Sequence, residues 1–185
     1  MEFILHYRGP LRANGGIKDK HKLRRHFHQQ LRVLWNQEPL KECQYVLEDN
    51  PGSPNLSVIR RIEGSSFRFA PLICEAPLHL IADLQITLLR PESPGSIVTQ
   101  AGDIDNRLKT LLDSLAVPKR AGLPADETPQ EDEDPFFCLL EDDNLVTKLS
   151  VETDRLLEQV ESSSEVILLI RVKTSPSKLL RVQTE

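Results

Sequence analysis

The chain has 185 residues, of which 39% are hydrophobic and 28% charged; this suffices for one domain with its own core, and no apolar run reaches membrane-spanning length. The formal charge of −5 runs against a uniformly basic nucleic-acid binder. Cys43, Cys74 and Cys138 are odd in number, widely spaced and free of any CxxC, which argues against a disulfide framework and fits a cytoplasmic protein with free thiols.

Residues 2–7 carry no basic region ahead of their apolar positions and read as a first strand rather than a signal peptide. Gly9-Pro10 and Asn14-Gly15-Gly16 read as loop, and they lack the Gly-Lys-Ser/Thr ending that a phosphate-cradling P-loop needs. Residues 20–35 read as a helix, with Leu23, Phe27, Leu31 and Leu34 at helical spacing and Trp35 as a core anchor. Arg24, Arg25, His28 and Arg32 take its other faces. Between residues 8 and 32 the basic side chains Arg8, Arg12, Lys18, Lys20, Lys22, Arg24, Arg25 and Arg32 are opposed only by Asp19, whereas every charge between 126 and 143 is negative. A basic helix can track a phosphate backbone; a solvated face with no ligand is the equal alternative. His21, His26 and His28, with Cys43 and Cys74, lack the spacing of a zinc site. Surface histidines are the simpler reading, with phosphate contact by His26 or His28 as the functional one.

Residues 40–78 are the least legible. They hold a loop at Asn50-Pro51-Gly52-Ser53-Pro54 and two β-like runs, 57–62 and 66–73, able to pair across Glu63-Gly64. Residues 79–90 alternate as a strand, and a helix is expected from Asp103 to about Ala116, before Pro118. Residues 121–135, rich in Pro, Asp and Glu, read as a mobile acidic loop. Residues 145–153 and 165–173 read as late strands, the second one central, and the chain from 175 as a tail. The class implied is a single α+β domain, a mixed β-sheet packed with two main helices.

The chemistry concentrates in Gly102-Asp103-Ile104-Asp105-Asn106-Arg107-Leu108-Lys109-Thr110-Leu111-Leu112-Asp113. Leu108, Leu111, Leu112 and Leu115 form an apolar stripe, and Asp105, Lys109 and Asp113 form a polar ridge along its edge. A helix cap and an Asp105–Lys109 ion pair explain that ridge without function. A second cluster, Glu141-Asp142-Asp143, follows the apolar run Phe136-Phe137-Cys138-Leu139-Leu140. Carboxylates from two segments suit a hard cation such as magnesium, which takes oxygen ligands and keeps several waters. An acidic turn before a strand is the structural alternative.

Asp103-x-Asp105-Asn106-x-x-Lys109 with Asp113, then Asp142-Asp143 opening a strand, resembles the RusA-type Holliday-junction resolvases. The resemblance implies a RusA-like domain over residues 1–174, with 40–78 as an unassigned insertion, 121–135 as an acidic loop and 175–185 as a C-terminal tail. It implies a homodimeric endonuclease, dependent on Mg2+ or Mn2+, that hydrolyses phosphodiester bonds in branched DNA such as Holliday junctions. Asp103, Asp105 and Asp143 would bind the metal, and Lys109 would face the scissile phosphate. Asn106, Asp113 and Asp142 would support those ligands, while Arg8, Arg12, Lys18, Lys22, Arg24 and Arg25 would meet DNA. The alternative is a non-catalytic binding or assembly module on the same fold. Net acidity favours the module; the joint presence of Asp103, Asp105, Lys109 and Asp143 favours the enzyme.

Overall fold

The computed structural model describes residues 1–50, 52–91, 103–160, 162 and 164–177, with the side chains of Pro54 and Asp103 outside that description. In β7 (Glu165–Pro176), Val166, Leu168, Ile170 and Val172 are buried at alternate positions, the period that turns one strand face inward. This strand lies between β1 (Glu2–Pro10) and β4 (Leu80–Arg90), antiparallel to both, and β6 (Val146–Arg155) runs parallel to β4 at the edge. The central position expected of residues 165–173 is observed. The tail expected from 175 is corrected in part, because Ser175 and Pro176 still pair with Ile81 and Leu80. Gly9-Pro10, expected in a loop, likewise closes β1 opposite Val166 and Glu165.

A second mixed sheet was not anticipated. It contains β2 (Arg60–Arg61), β3 (Arg68–Ile73) and β5 (Phe136–Leu140), with β2 antiparallel and β5 parallel to β3. All five residues of β5 are buried, so its sequence is a continuous apolar run without the alternation of a half-exposed strand. The hairpin across Glu63-Gly64 forms, though its pairing is limited to Arg60↔Phe69 and Arg61↔Arg68. Residues 40–78 are therefore part of the body, since they supply two of these strands and the buried Leu40, Val46 and Val58.

α1 (Ile17–Trp35) starts three residues before the expected Lys20. The Gly16 N–H donates to the Asp19 carboxylate at 3.1 Å, and the Gly16 carbonyl accepts the first helical bond from Lys20 N at 3.0 Å. Leu23, Phe27, Leu31 and Trp35 are buried. In α2 (Asp103–Leu115), Leu111 and Leu115 are buried and Leu108 and Leu112 pack against the core, as the stripe predicted. The loop before α1 touches α2 directly. The Gly15 N–H donates to Thr110 Oγ1 at 3.0 Å, and a Cβ at Gly15 would sit 2.7 Å from Thr110 Cγ2, so only glycine allows this approach. Arg107, also buried, donates to the Leu11 carbonyl and ties the same loop to α2.

Residues 121–135, expected as a mobile acidic loop, lie as a strap against α1. Arg25 pairs with Glu133 at 2.7 Å and with Glu127 at 2.9 Å, and Arg32 pairs with Asp132 at 2.8 Å. Phe137 N–H donates to His28 Nδ1 at 2.9 Å, which leaves the proton on Nε2 to donate to the Asp132 carbonyl at 3.0 Å. Arg25, His28 and Arg32 lie at i, i+3 and i+7, one face of α1, so the basic helix and the acidic strap neutralise each other. Among the described residues, no helix is long and apolar enough to cross a membrane.

Candidate active-site cleft

β5 carries the chain to the acidic turn and also anchors the end of α2. Ala116 bridges Leu140, and the Val117 N–H donates to the Leu140 carbonyl at 2.9 Å. The C-terminal end of α2 is thereby fixed beside residues 141–143. A cleft of about 210 Å³ opens there, walled by Asp113 of α2, Asp142 and Asp143 of the turn, Lys20 and Arg24 of α1, and Lys119. Three elements distant in sequence converge on it.

Each carboxylate has a distinct role in the wall. Asp113 Oδ2 accepts from Lys20 Nζ at 2.6 Å across the α1–α2 contact. Asp142 caps the short 3-10 turn Asp143–Leu145, its Oδ1 accepting from Asn144 N–H at 3.1 Å. Asp143 is exposed. Glu141 turns the other way: it accepts from Arg60 Nε at 2.5 Å and from Glu75 N–H at 2.9 Å, which fixes the ends of the second sheet. One acidic triplet thus divides into a structural anchor, a cap and an open carboxylate.

The expected ligand set is only partly gathered. Asp143 lines the cleft, whereas Asp105 and Lys109 are exposed on α2 and lie outside its lining. Asp105 precedes Asp113 by eight residues, about 12 Å along the helix axis at 1.5 Å per residue. The side chain of Asp103 lies outside the described residues. Among the described residues, no group of three or more His, Cys, Asp or Glu side chains is placed to hold a metal ion. Asp113 and Asp142, expected as supports, are instead the carboxylates that share the cleft with Asp143. Asn106 is half-buried, and its carbonyl accepts from Thr110 Oγ1 at 3.0 Å. Asp143 is the exposed carboxylate of this wall, and magnesium as a class needs only one or two carboxylates when substrate phosphate and water complete its shell.

The residues expected on DNA separate into two groups. Lys18 and Lys22 are exposed on α1; Arg12 is also exposed and stands 3.8 Å from Asp19. Arg8 is paired with Glu158 at 2.8 Å. Arg24 and Arg25 are corrected. Arg24 is 2% exposed, its Nε and Nη2 donating to the Ala116 and Asp113 carbonyls at 3.2 and 2.7 Å, where it closes α2 as a cation at a helix C-terminus should. Arg25 holds the strap.

Other reactive groups are withdrawn into the core. Burial pushes the Cys138 thiol up to about 12 and that of Cys74 up to about 11, far from thiolate chemistry at neutral pH. His21 and His28 are buried, not surface histidines. Burial first, and then Arg24 and Arg25, lower the His21 pKa to about 4, so its ring is neutral against Phe136 and Phe67. Sequence reasoning missed Lys20 and Lys119 as cleft residues; Lys20 belonged to the basic run, but nothing local marked Asp113 as its partner. No family model matches the chain, and no curated protein or solved structure matches it either.

Proposed function

We propose that the chain is a RusA-like endonuclease dependent on Mg2+ or Mn2+, hydrolysing phosphodiester bonds in branched DNA. The observation that carries this reading is the convergence of Asp113, from the motif helix, with Asp142 and Asp143, from the acidic turn, on one cleft that also holds Lys20 and Lys119. A bound metal ion would supply an activated water and neutralise charge on the phosphate oxygens. Asp143 would be the open carboxylate for that ion, with Asp142 and Asp113 flanking it; of the other two ligands that the motif resemblance implies, Asp105 lies outside this lining and the side chain of Asp103 outside the described residues. The cleft backbone is held by Arg24 and by the Val117–Leu140 bond, so its wall is set before substrate arrives. The branched substrate and the homodimer come from the resemblance.

The test is a nicking assay with Mg2+ or Mn2+ on labelled four-way junctions, flaps and plain duplex, comparing the wild type with Asp143→Asn and Asp105→Asn. The reading requires divalent-dependent cleavage by the wild type and its loss in Asp143→Asn. Inert wild-type protein on every substrate rejects it.

A second reading, a non-catalytic binding module on the same fold, is favoured by one observation. Lys20 and Asn144 already engage two of the three cleft carboxylates. Tight DNA binding without cleavage, unchanged in Asp143→Asn, would select this reading.

A further inference from the structure

We infer that Lys20 of α1, rather than Lys109 of α2, is the lysine that meets the phosphate of the substrate in this cleft. The inference rests on the endonuclease reading and deepens it by naming a phosphate-binding residue. A cation held beside the carboxylates of a nuclease cleft meets, at short range, the charge that develops on the phosphate oxygens. Lys109 is exposed on α2 and is not in the wall of the cleft. Lys20, Arg24 and Lys119 are in that wall. Arg24 cannot turn to a ligand without releasing the two carbonyls that end α2. Lys119 is exposed between α2 and the strap, where no side-chain hydrogen bond or ion pair among the described residues holds it beside the carboxylates.

Lys20 combines the remaining requirements. Its ammonium sits 2.6 Å from Asp113, half-buried, on a flexible four-carbon stem that carries three donors. One donor satisfies Asp113 Oδ2 and the others remain for phosphate oxygen, so a phosphate can be bound without breaking the pair. Formal charges in the wall balance, three lysine or arginine cations against three aspartates. A balanced cleft of this kind favours a metal–phosphate pair over either ion alone, since each entering charge neutralises what the other would leave unpaired.

The experiment uses the full chain and a fluorescein-labelled four-way junction. Junction affinity is read by anisotropy in Ca2+ over a salt series, and single-turnover cleavage is read in Mn2+. The variants are Lys20→Gln, Lys20→Arg, Lys109→Gln and, as a remote charge control, Lys41→Gln. Lys20→Gln is expected to weaken binding about tenfold and to lower the salt slope by about one. Lys20→Arg is expected to restore most of both, which a purely structural role in the Lys20–Asp113 contact does not require of the salt slope. Thermal midpoints identify any variant that fails to fold, in which case Lys20→Arg against Lys109→Gln decides. If the wild type cleaves while Lys20→Gln behaves as wild type, or Lys109→Gln shows the larger loss, the Lys20 assignment falls and the nuclease reading stands. If the wild type neither binds nor cleaves the junction, both fall.

Discussion

Arg24 donates from Nη2 to the carbonyl oxygen of Asp113 at 2.7 Å, so the last turn of α2, on one side of the cleft, is held by a buried guanidinium from α1. The same guanidinium takes the Ala116 carbonyl at 3.2 Å. Cleft geometry and fold stability therefore meet in one side chain. Arg24→Met is expected to destabilise the protein by about 2–4 kcal/mol, because two helix-end carbonyls lose their donor in a buried place. Urea unfolding measures this, and a loss below about 0.5 kcal/mol would remove Arg24 as the anchor of α2.

Gly15 and Thr110 form a second link between the same elements. A methyl group at Gly15 would come within 2.7 Å of Thr110 Cγ2, while the hydrogen bond uses Thr110 Oγ1. Gly15→Ala is expected to cost about 1–3 kcal/mol through overpacking. Thr110→Ser removes the clashing methyl and keeps the hydroxyl, so the double variant should recover most of that cost. Additive losses in the double-mutant cycle would show that the close approach does not set the position of α2.

The strap is held by charge and by one buried carboxylate. Glu133 is 3% exposed on its side chain and pairs with Arg25 at 2.7 Å. Glu133→Gln is expected to destabilise by about 1–3 kcal/mol, since it leaves the Arg25 guanidinium without its buried counter-charge. Hydrogen exchange should then speed up in residues 121–135 more than in β7. Unchanged exchange in the strap would mean that Arg25 does not hold it.

Acid should weaken the fold through His21. The folded protein keeps this ring neutral down to about pH 4, while the unfolded chain protonates near 6.5, so protons favour the unfolded state between those values. Stability is then expected to fall by up to ~1.4 kcal/mol per pH unit from about 6.5 toward 4 on account of this group, and to level below that. His21→Phe, an aromatic replacement against Phe136 and Phe67, should flatten the dependence in that window. Equal slopes for wild type and variant, from unfolding at stepped pH, would contradict the assignment.

Much of the architecture was legible in local periodicity. The alternation of Val166, Leu168, Ile170 and Val172 gave the central strand, and the stripe Leu108, Leu111, Leu112, Leu115 gave the buried face of α2. β5 escaped a strand assignment of its own because a strand buried on both faces has no period to read. The strap escaped for a different reason. Arg25 and Glu133 are 108 residues apart, and two charge runs do not announce that they neutralise one another. At the cleft, the polar ridge Asp105, Lys109, Asp113 was correctly placed on one edge of α2, yet the rise of the helix carries its two ends apart. Only the Asp113 end meets the acidic turn, and it does so through the Ala116–Leu140 bridge, a contact between segments that no spacing rule relates.

Metal-dependent phosphodiester hydrolysis at the Asp143 cleft, as proposed, is open to a direct test. Its most direct measurement is cleavage of a labelled four-way junction in Mn2+ by the wild type and by Asp143→Asn, an exposed position whose substitution should leave the thermal midpoint within a few degrees. The wild type is expected to nick in Mn2+, with nicking abolished by chelation and reduced at least 100-fold in Asp143→Asn. Nicking that survives Asp143→Asn undiminished, or a wild type inert on junction, flap and duplex alike, would contradict the proposal.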